Sequence, residues 1–190
     1  MDFDSIALFF FFFFLYSFLF YEEDKVSELE KLSFPWGGVK RCNRYKVIYF
    51  YQLLMVDWDI KTSESDDSEH YTVSSFSEIL EGLERRVSRN PNELWALYRT
   101  PGGAHAFLIS EKKRVEEGVK IQEEMLGDKC YTRCTKFFGH YNARVEPKKD
   151  RKNDFIASFH SLHGTGKPEK ELVEQLCIHD QLIKGNKLSF

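Results

Sequence analysis

Apolar residues fall into blocks separated by polar turns along most of the chain. The longest block, Tyr45–Ile60, is rich in β-branched and aromatic residues and is apolar almost throughout. A run of this kind is typical of a central strand that is buried on both faces. Two shorter blocks, Leu94–Arg99 and His105–Ile109, flank the turn Thr100–Gly103. They predict a hairpin that lies beside the central strand.

Three other segments carry an apolar residue at every third or fourth position, which predicts helices. The first begins at a capping box formed by Ser75 and Glu78. The second is followed by a glycine, and the third has a proline at its start and a glycine after its end. In chain order, these predicted helices cover residues 76–90, Glu111–Leu126 and Pro168–Lys184.

Two short segments, Cys130–Cys134 and Tyr141–Val145, have the composition of further strands. The predicted order is then β-α-β-β-α-β-β-α. Such an order indicates an α+β fold with a mixed β-sheet, a central buried strand and flanking helices.

The first 33 residues differ from the remainder. Ile6–Phe20 is apolar apart from one serine and is dominated by phenylalanine. It has 15 residues, whereas a bilayer span needs about 20. Three interpretations stay open: a membrane anchor over residues 6–21, a strip that packs on the domain, and a stretch that is not natural coding sequence. The breaker cluster Phe34–Gly38 predicts the boundary of a single domain over residues 34–190.

Charge and cysteine usage narrow the partners and the compartment. The formal net charge is −3, yet Lys129–Lys152 holds eight basic and two acidic residues. A local basic patch of this kind suits a phosphate-bearing partner, although a solvated loop would give the same pattern. The four scattered cysteines do not form a disulfide framework, which favours free thiols in a reducing, intracellular compartment.

Asp57 and Asp59 end the longest apolar block. Their spacing of two places both carboxylates on one face of a strand, about 7 Å apart. Two carboxylates held this close repel one another unless a proton or a cation lies between them. Mg²⁺ is bound in this way, by one or two carboxylates together with substrate phosphates. The alternative is a strand that simply ends in two solvated acids.

The segment Thr100–His105 reads Thr-Pro-Gly-Gly-Ala-His. Adjacent glycines, Gly102 and Gly103, permit positive φ angles and let backbone amides approach a phosphate. His105 leaves this turn and is placed to donate a hydrogen bond to a phosphate oxygen. A plain hairpin with a histidine satisfied by a neighbouring carbonyl is the competing interpretation.

Together these segments resemble the catalytic core of the archaeo-eukaryotic primase superfamily, which includes primase-polymerases. The matching residues are Val56-Asp57-Trp58-Asp59 and Thr100-Pro101-Gly102-Gly103-Ala104-His105, within residues 45–150. The resemblance implies a metal-dependent nucleotidyltransferase that binds a nucleotide or nucleic acid, with Mg²⁺ or Mn²⁺ as cofactor.

The resemblance also assigns roles to individual residues. It implies that Asp57, Asp59 and a third acid, Asp128, are catalytic and bind the metal. His105, beside Gly102 and Gly103, would hold the incoming nucleotide. Two basic residues of the segment Ala-Arg-Val-Glu-Pro-Lys would neutralise phosphate charge, and these are Arg144 and Lys148.

Two alternatives remain at the level of sequence. In a metal-dependent nuclease, Glu146 and Lys148 would act with Asp57 on a scissile phosphate. In a protein without catalysis, the domain would serve as a scaffold or binding module attached to a membrane through residues 6–21. The sequence assigns no oligomeric state.

Overall fold

The computed structural model describes residues 33–42, 45–61, 73–147 and 156–185. Within these ranges the chain forms eight strands in two antiparallel sheets, together with four helices. The strands are β1 (Ser33–Phe34), β2 (Gly37–Cys42), β3 (Tyr45–Phe50), β4 (Met55–Asp59), β5 (Leu94–Thr100), β6 (Gly103–Leu108), β7 (Tyr141–Arg144) and β8 (Ser158–Gly164). The helices are α1 (Phe76–Arg89), α2 (Val115–Glu124), α3 (Lys129–Phe138) and α4 (Lys170–Gly185).

The predicted α+β class is confirmed, whereas the single mixed sheet is wrong. The first sheet has the strand order β1-β2-β3-β7, and the second has the order β4-β6-β5-β8. The apolar block Tyr45–Ile60, predicted to be one strand, is divided between β3 in the first sheet and β4 in the second. The connector between β3 and β4 is apolar as well, and its residues Leu53 and Leu54 are fully buried. A buried connector and a buried strand have the same apolar composition, so periodicity does not separate them.

Strand β4 lies at the edge of its sheet and not at the centre, which corrects the prediction of a central strand. The hairpin of β5 and β6 does lie beside it, as predicted, since β6 pairs with β4 along its whole length. The junction between α2 and α3 covers the outer edge of β4. There the Gln122 side chain donates to the Met55 carbonyl at 2.7 Å, and the Asp128 backbone N–H donates to the Asp57 carbonyl at 2.7 Å. These bonds satisfy edge carbonyls that would otherwise invite another strand.

The helix α1 matches its prediction closely. The Ser75 hydroxyl accepts a hydrogen bond from the Glu78 backbone N–H, as expected of an N-cap, and Asn90 follows the last turn. The helix α2 is shorter than predicted. Its end carries Leu126 in the left-handed region, with φ of 55°, in place of the expected Gly127.

The segment Cys130–Cys134, predicted to be a strand, is part of the helix α3. The Asp128 carboxylate caps its first turn by accepting from the Tyr131 backbone N–H, and Gly139 ends it with φ of 70°. Capping at both ends outweighs the weak helix propensity of the cysteine, threonine and aromatic residues between them.

Apolar residues from both sheets and from α1, α2 and α4 form one buried core. Phe50 of the first sheet and Phe107 of the second meet edge to face at 6.4 Å, which joins the two sheets. The predicted boundary segment Phe34–Gly38 forms the β1–β2 hairpin, where the rings of Phe34 and Trp36 stack at 4.5 Å.

The Phe-rich leader, with the membrane segment proposed over residues 6–21, lies outside the described residues. Lys148 and most of the acidic segment after Lys61 also lie outside them. Across the ranges that the structure does describe, no helix has both the length and the apolar character needed to cross a membrane.

Candidate functional site

A cleft of about 390 Å³ opens where the β4 edge faces the first sheet and α3. Asp57 and Asp59 of β4 and His105 of β6 line one wall. Tyr45, Val47, Asn142 and Arg144 contribute the opposing wall, and Cys130, Tyr131, Cys134 and Phe138 of α3 form the third. Asp57, Asp59 and His105, together with Arg144 and Gly102, therefore share one cleft.

Strand register sets the distance between Asp57 and His105. The two residues are direct partners in the antiparallel pairing of β4 with β6, so their side chains point to the same face. The His105 Nε2 atom lies 3.3 Å from the Asp57 Oδ1 atom, and the two side chains are 12% and 24% exposed. His105 is therefore held beside the carboxylate while both stay accessible from the cleft.

The other ring nitrogen of His105 is enclosed by the protein. The Nδ1 atom is buried and has no hydrogen-bond partner among the described residues. The Nε2 atom is therefore the ring nitrogen that lies beside the Asp57 carboxylate and can bond to a ligand in the cleft.

The turn Thr100–Gly103 places Gly102 at the rim of the cleft. The Gly102 carbonyl accepts a hydrogen bond from the Ile60 backbone N–H at 2.8 Å, which ties the turn to the end of β4. Neither glycine adopts the positive φ that its lack of a side chain permits. Gly103 is instead needed for close approach, because a Cβ there would overlap the Trp58 carbonyl group.

The wall from the first sheet carries the positive charge of the cleft. Arg144 pairs with Val47 in the register of β3 and β7, and its guanidinium lies 5.5 Å from the centre of the Tyr45 ring. The buried Asn142 side-chain oxygen, on the same wall, has no hydrogen-bond partner in the described part of the chain. The cleft thus combines two carboxylates with the Arg144 guanidinium and with an amide oxygen that can accept a hydrogen bond.

The wall from α3 was missed at the level of sequence because this segment was predicted to be a strand. Tyr131, Cys134 and Phe138 follow at intervals of three and four residues, which places them on one helix face. The Tyr131 hydroxyl accepts a hydrogen bond from the Asn142 backbone N–H at 3.1 Å. Burial raises the pKa of Tyr131 well above its ordinary value, and the negative charge of Asp57 raises this pKa further. Tyr131 therefore stays protonated beside the carboxylate.

Asp128, the third acid of the resemblance, is not among the residues that line the cleft. Its side chain is buried at the start of α3, where the carboxylate accepts from the Tyr131 backbone N–H at 2.5 Å. The same residue's backbone N–H is the donor to the Asp57 carbonyl. In this structure Asp128 supports the wall that holds Asp57 and does not face the space that a ligand would occupy.

In the nuclease alternative, Glu146 would act with Asp57, and the structure does not bring these two side chains together. The Glu146 carboxylate accepts a hydrogen bond from the Lys46 backbone N–H at 2.7 Å and lies 3.8 Å from the Arg41 guanidinium. It does not line the cleft that contains Asp57. No observation in the described residues therefore favours the nuclease hypothesis.

The donor set fits a cation that arrives with its own oxygen ligands. Within the described ranges there is no group of three or more histidine, cysteine or acidic side chains arranged to hold a metal ion. A preformed zinc or calcium cage would need such a group. Mg²⁺ and Mn²⁺ need fewer protein ligands, and the two carboxylates of Asp57 and Asp59 supply the hard oxygen donors that these ions prefer.

Comparison of the chain with protein-family models, with curated proteins and with solved structures gives no match. The function must consequently be argued from the chemistry of this cleft.

Proposed function

We propose that the cleft binds a nucleoside triphosphate together with Mg²⁺ or Mn²⁺, as a nucleotidyltransferase of the primase-polymerase type does. The observation that carries the proposal is the convergence of Asp57, Asp59 and His105 in one cleft. These residues come from two sequence segments, and strand pairing brings Asp57 and His105 to 3.3 Å. This arrangement of side chains supports the resemblance of the two segments to the primase-polymerase core.

Each side chain has a role that its chemistry allows. Asp57 and Asp59 would hold the cation, which when bound neutralises phosphate charge and orients the triphosphate. Arg144, on the opposing wall, would pair with phosphate oxygens through its planar guanidinium. His105 would donate from Nε2 to a phosphate oxygen once a cation competes for Asp57. Gly102 leaves the rim of the cleft without a side chain.

The proposal assigns two protein carboxylates to the cation and leaves Asp128 as a support. Two carboxylates suffice for Mg²⁺ when substrate phosphates and water complete the octahedron. A cleft of about 390 Å³ is within the usual range for small-molecule sites.

Calorimetric titration of the full chain with a nucleoside triphosphate, with and without Mn²⁺, tests the proposal. We expect binding that depends on Mn²⁺. Asp57→Asn should weaken it by about tenfold or more, because one charged ligand is lost. His105→Ala should weaken nucleotide binding but not Mn²⁺ binding, because it removes a phosphate donor and no metal ligand.

Glu81→Gln is the matched control, since it neutralises an exposed carboxylate on α1 that does not line the cleft. It should leave binding unchanged. Absence of Mn²⁺-dependent binding at millimolar nucleotide contradicts the proposal. Binding that survives both Asp57→Asn and Asp59→Asn would assign the nucleotide to another surface.

A further inference from the structure

A continuous series of aromatic rings lies beside the cleft, with exposed rings at both ends and a buried one, His140, in the middle. From one end to the other, ring centres are separated by 5.8, 5.1, 5.9 and 5.0 Å. The rings belong, in order, to Tyr51, Tyr49, His140, Phe138 and Phe137, which we call the aromatic ridge. Phe138 also lines the cleft, so the ridge leads into the candidate site.

The two ends of the ridge are exposed to an extent that packing does not explain. Phe137 is 84% exposed and Phe138 is 49% exposed, and they are consecutive residues at the end of α3. Among the described residues, the large apolar side chains left exposed are Tyr51, Leu126, Phe137 and Phe138, and three of these four belong to the ridge. A concentration of exposed aromatic rings in one place marks an interaction surface.

Positive charge accompanies the ridge. The Lys40 ammonium lies 4.9 Å from the Tyr49 ring centre and 5.6 Å from the Phe138 ring centre, and it is 2.7 Å from the His140 Nε2 atom. The helix α3, which ends in the two phenylalanines, has three basic residues and no acidic one. All three basic residues are exposed, and they are Lys129, Arg133 and Lys136.

From this combination we propose that the aromatic ridge binds a single-stranded nucleic acid, with bases stacked on its exposed rings and phosphates near the cations. Stacking on exposed aromatics beside a basic track is how proteins hold single strands without reading their sequence. A duplex would not suit the ridge, because its base faces are already stacked on one another. The bound strand would lead toward the nucleotide in the cleft, and only this part of the inference rests on the proposed function.

Two other partners are less well matched. A membrane surface would take up the phenylalanines, but it would not use a row of rings that adjoins a cleft lined with carboxylates. A protein partner would bury Phe137 and Phe138 without requiring the uniformly basic character of α3. Both partners are outcomes of the test below.

The test is fluorescence anisotropy of a labelled 20-nucleotide oligothymidylate with the full chain, in EDTA and without nucleotide. We expect binding that weakens with salt. Phe137→Ala and Phe138→Ala should each weaken it by about fivefold or more, the effect of losing one stacked base. Phe137→Trp should restore it. Lys136→Ala should instead make the logarithmic salt slope shallower by about 0.7, the value for one phosphate contact on a single strand.

The matched control is Leu126→Ala, which truncates a half-exposed apolar side chain outside the ridge. It should leave the affinity unchanged. The inference is overturned if Phe137→Ala binds like the wild type, if a duplex binds more tightly than the single strand, or if the protein binds phosphatidylserine vesicles and not the oligomer. Because EDTA excludes the cation, oligomer binding without Mn²⁺-dependent nucleotide binding would retain the ridge and reject the proposed function. Mn²⁺-dependent nucleotide binding without oligomer binding would retain the proposed function and reject the ridge as a nucleic-acid site.

Discussion

The substitution Gly103→Ala tests whether β4 and β6 are paired in the register that forms the site. Gly103 faces Asp59 in this register, and the next pairs place Ala104 opposite Trp58 and His105 opposite Asp57. A Cβ at position 103 would overlap the Trp58 carbonyl oxygen and lie 2.8 Å from its carbon. These are backbone atoms, so no side-chain rotation relieves the overlap.

The size of the effect follows from the displacement. Carbon atoms pack comfortably at about 3.5–4.0 Å, so the end of β4 must retreat by roughly 1 Å. Hydrogen bonds near 2.9 Å do not survive such a shift. The bonds at risk are those of the neighbouring Trp58–Ala104 pair, which alternation in the antiparallel ladder makes the hydrogen-bonded pair, and the bond from the Ile60 N–H to the Gly102 carbonyl. At about 1 kcal/mol each, with strain added, the expected loss is roughly 2–4 kcal/mol.

Thermal and urea unfolding of the full chain measure this loss, and a fall in Tm of roughly 5–15 °C is expected. The control is Gly82→Ala in α1, where the new Cβ meets only the Arg85 guanidinium at 3.8 Å. That change should stabilise the protein by about 0.5–1 kcal/mol, since alanine favours helix. If Gly103→Ala unfolds within about 0.5 kcal/mol of the wild type, the register is wrong, and the pairing of Asp57 with His105 falls with it.

Two further substitutions separate structural roles from chemical ones. Asparagine is as good an N-cap as aspartate, so Asp128→Asn should change Mn²⁺-dependent nucleotide binding less than twofold, about 0.4 kcal/mol. A loss of affinity as large as that of Asp57→Asn in the same titration would make Asp128 a metal ligand. Burial and the charge of Lys40 lower the pKa of His140, so the unfolded chain takes up a proton near pH 6.5 while the folded chain does so only at lower pH. The stability that neutral His140 contributes is therefore complete above about pH 6.5 and is lost as the pH falls toward the folded pKa. Urea unfolding between pH 7.5 and 5 should show a smaller decline for His140→Gln than for the wild type, and parallel profiles would contradict this argument.

The elements that the sequence predicted well are those with local signals. The helix α1 has a capping box at Ser75 and an uninterrupted apolar face, and the β5–β6 hairpin has a proline-glycine turn. The helix α3 also has signals at both ends, Asp128 and Gly139, but the β-prone residues between them favoured a strand. The division of Tyr45–Ile60 into two strands depends on which sheet each half joins, and this is a tertiary property.

The candidate site divides in the same way. The carboxylate pair and His105 lie in recognisable local patterns, and their proximity follows from the neighbouring hairpin. The opposing wall comes from β7, in the other sheet, so the facing of Arg144 and Asn142 toward Asp57 depends on the packing of one sheet against the other. Asp128 shows the converse, because an acid that fits a sequence motif is used here as a helix cap.

The edge position of β4 explains how an acidic pair can be both well ordered and accessible. A strand at the centre of a sheet would have neighbours on both sides, and their side chains would flank the two carboxylates. At the edge, the outer side of β4 meets the α2–α3 junction instead, where Gln122 and the Asp128 backbone satisfy its carbonyls. The backbone of Asp57 is thereby fixed while the space beside its side chain remains open as the cleft. The same junction begins α3, whose far end carries Phe137 and Phe138, so one structural device sets both the candidate nucleotide site and the aromatic ridge.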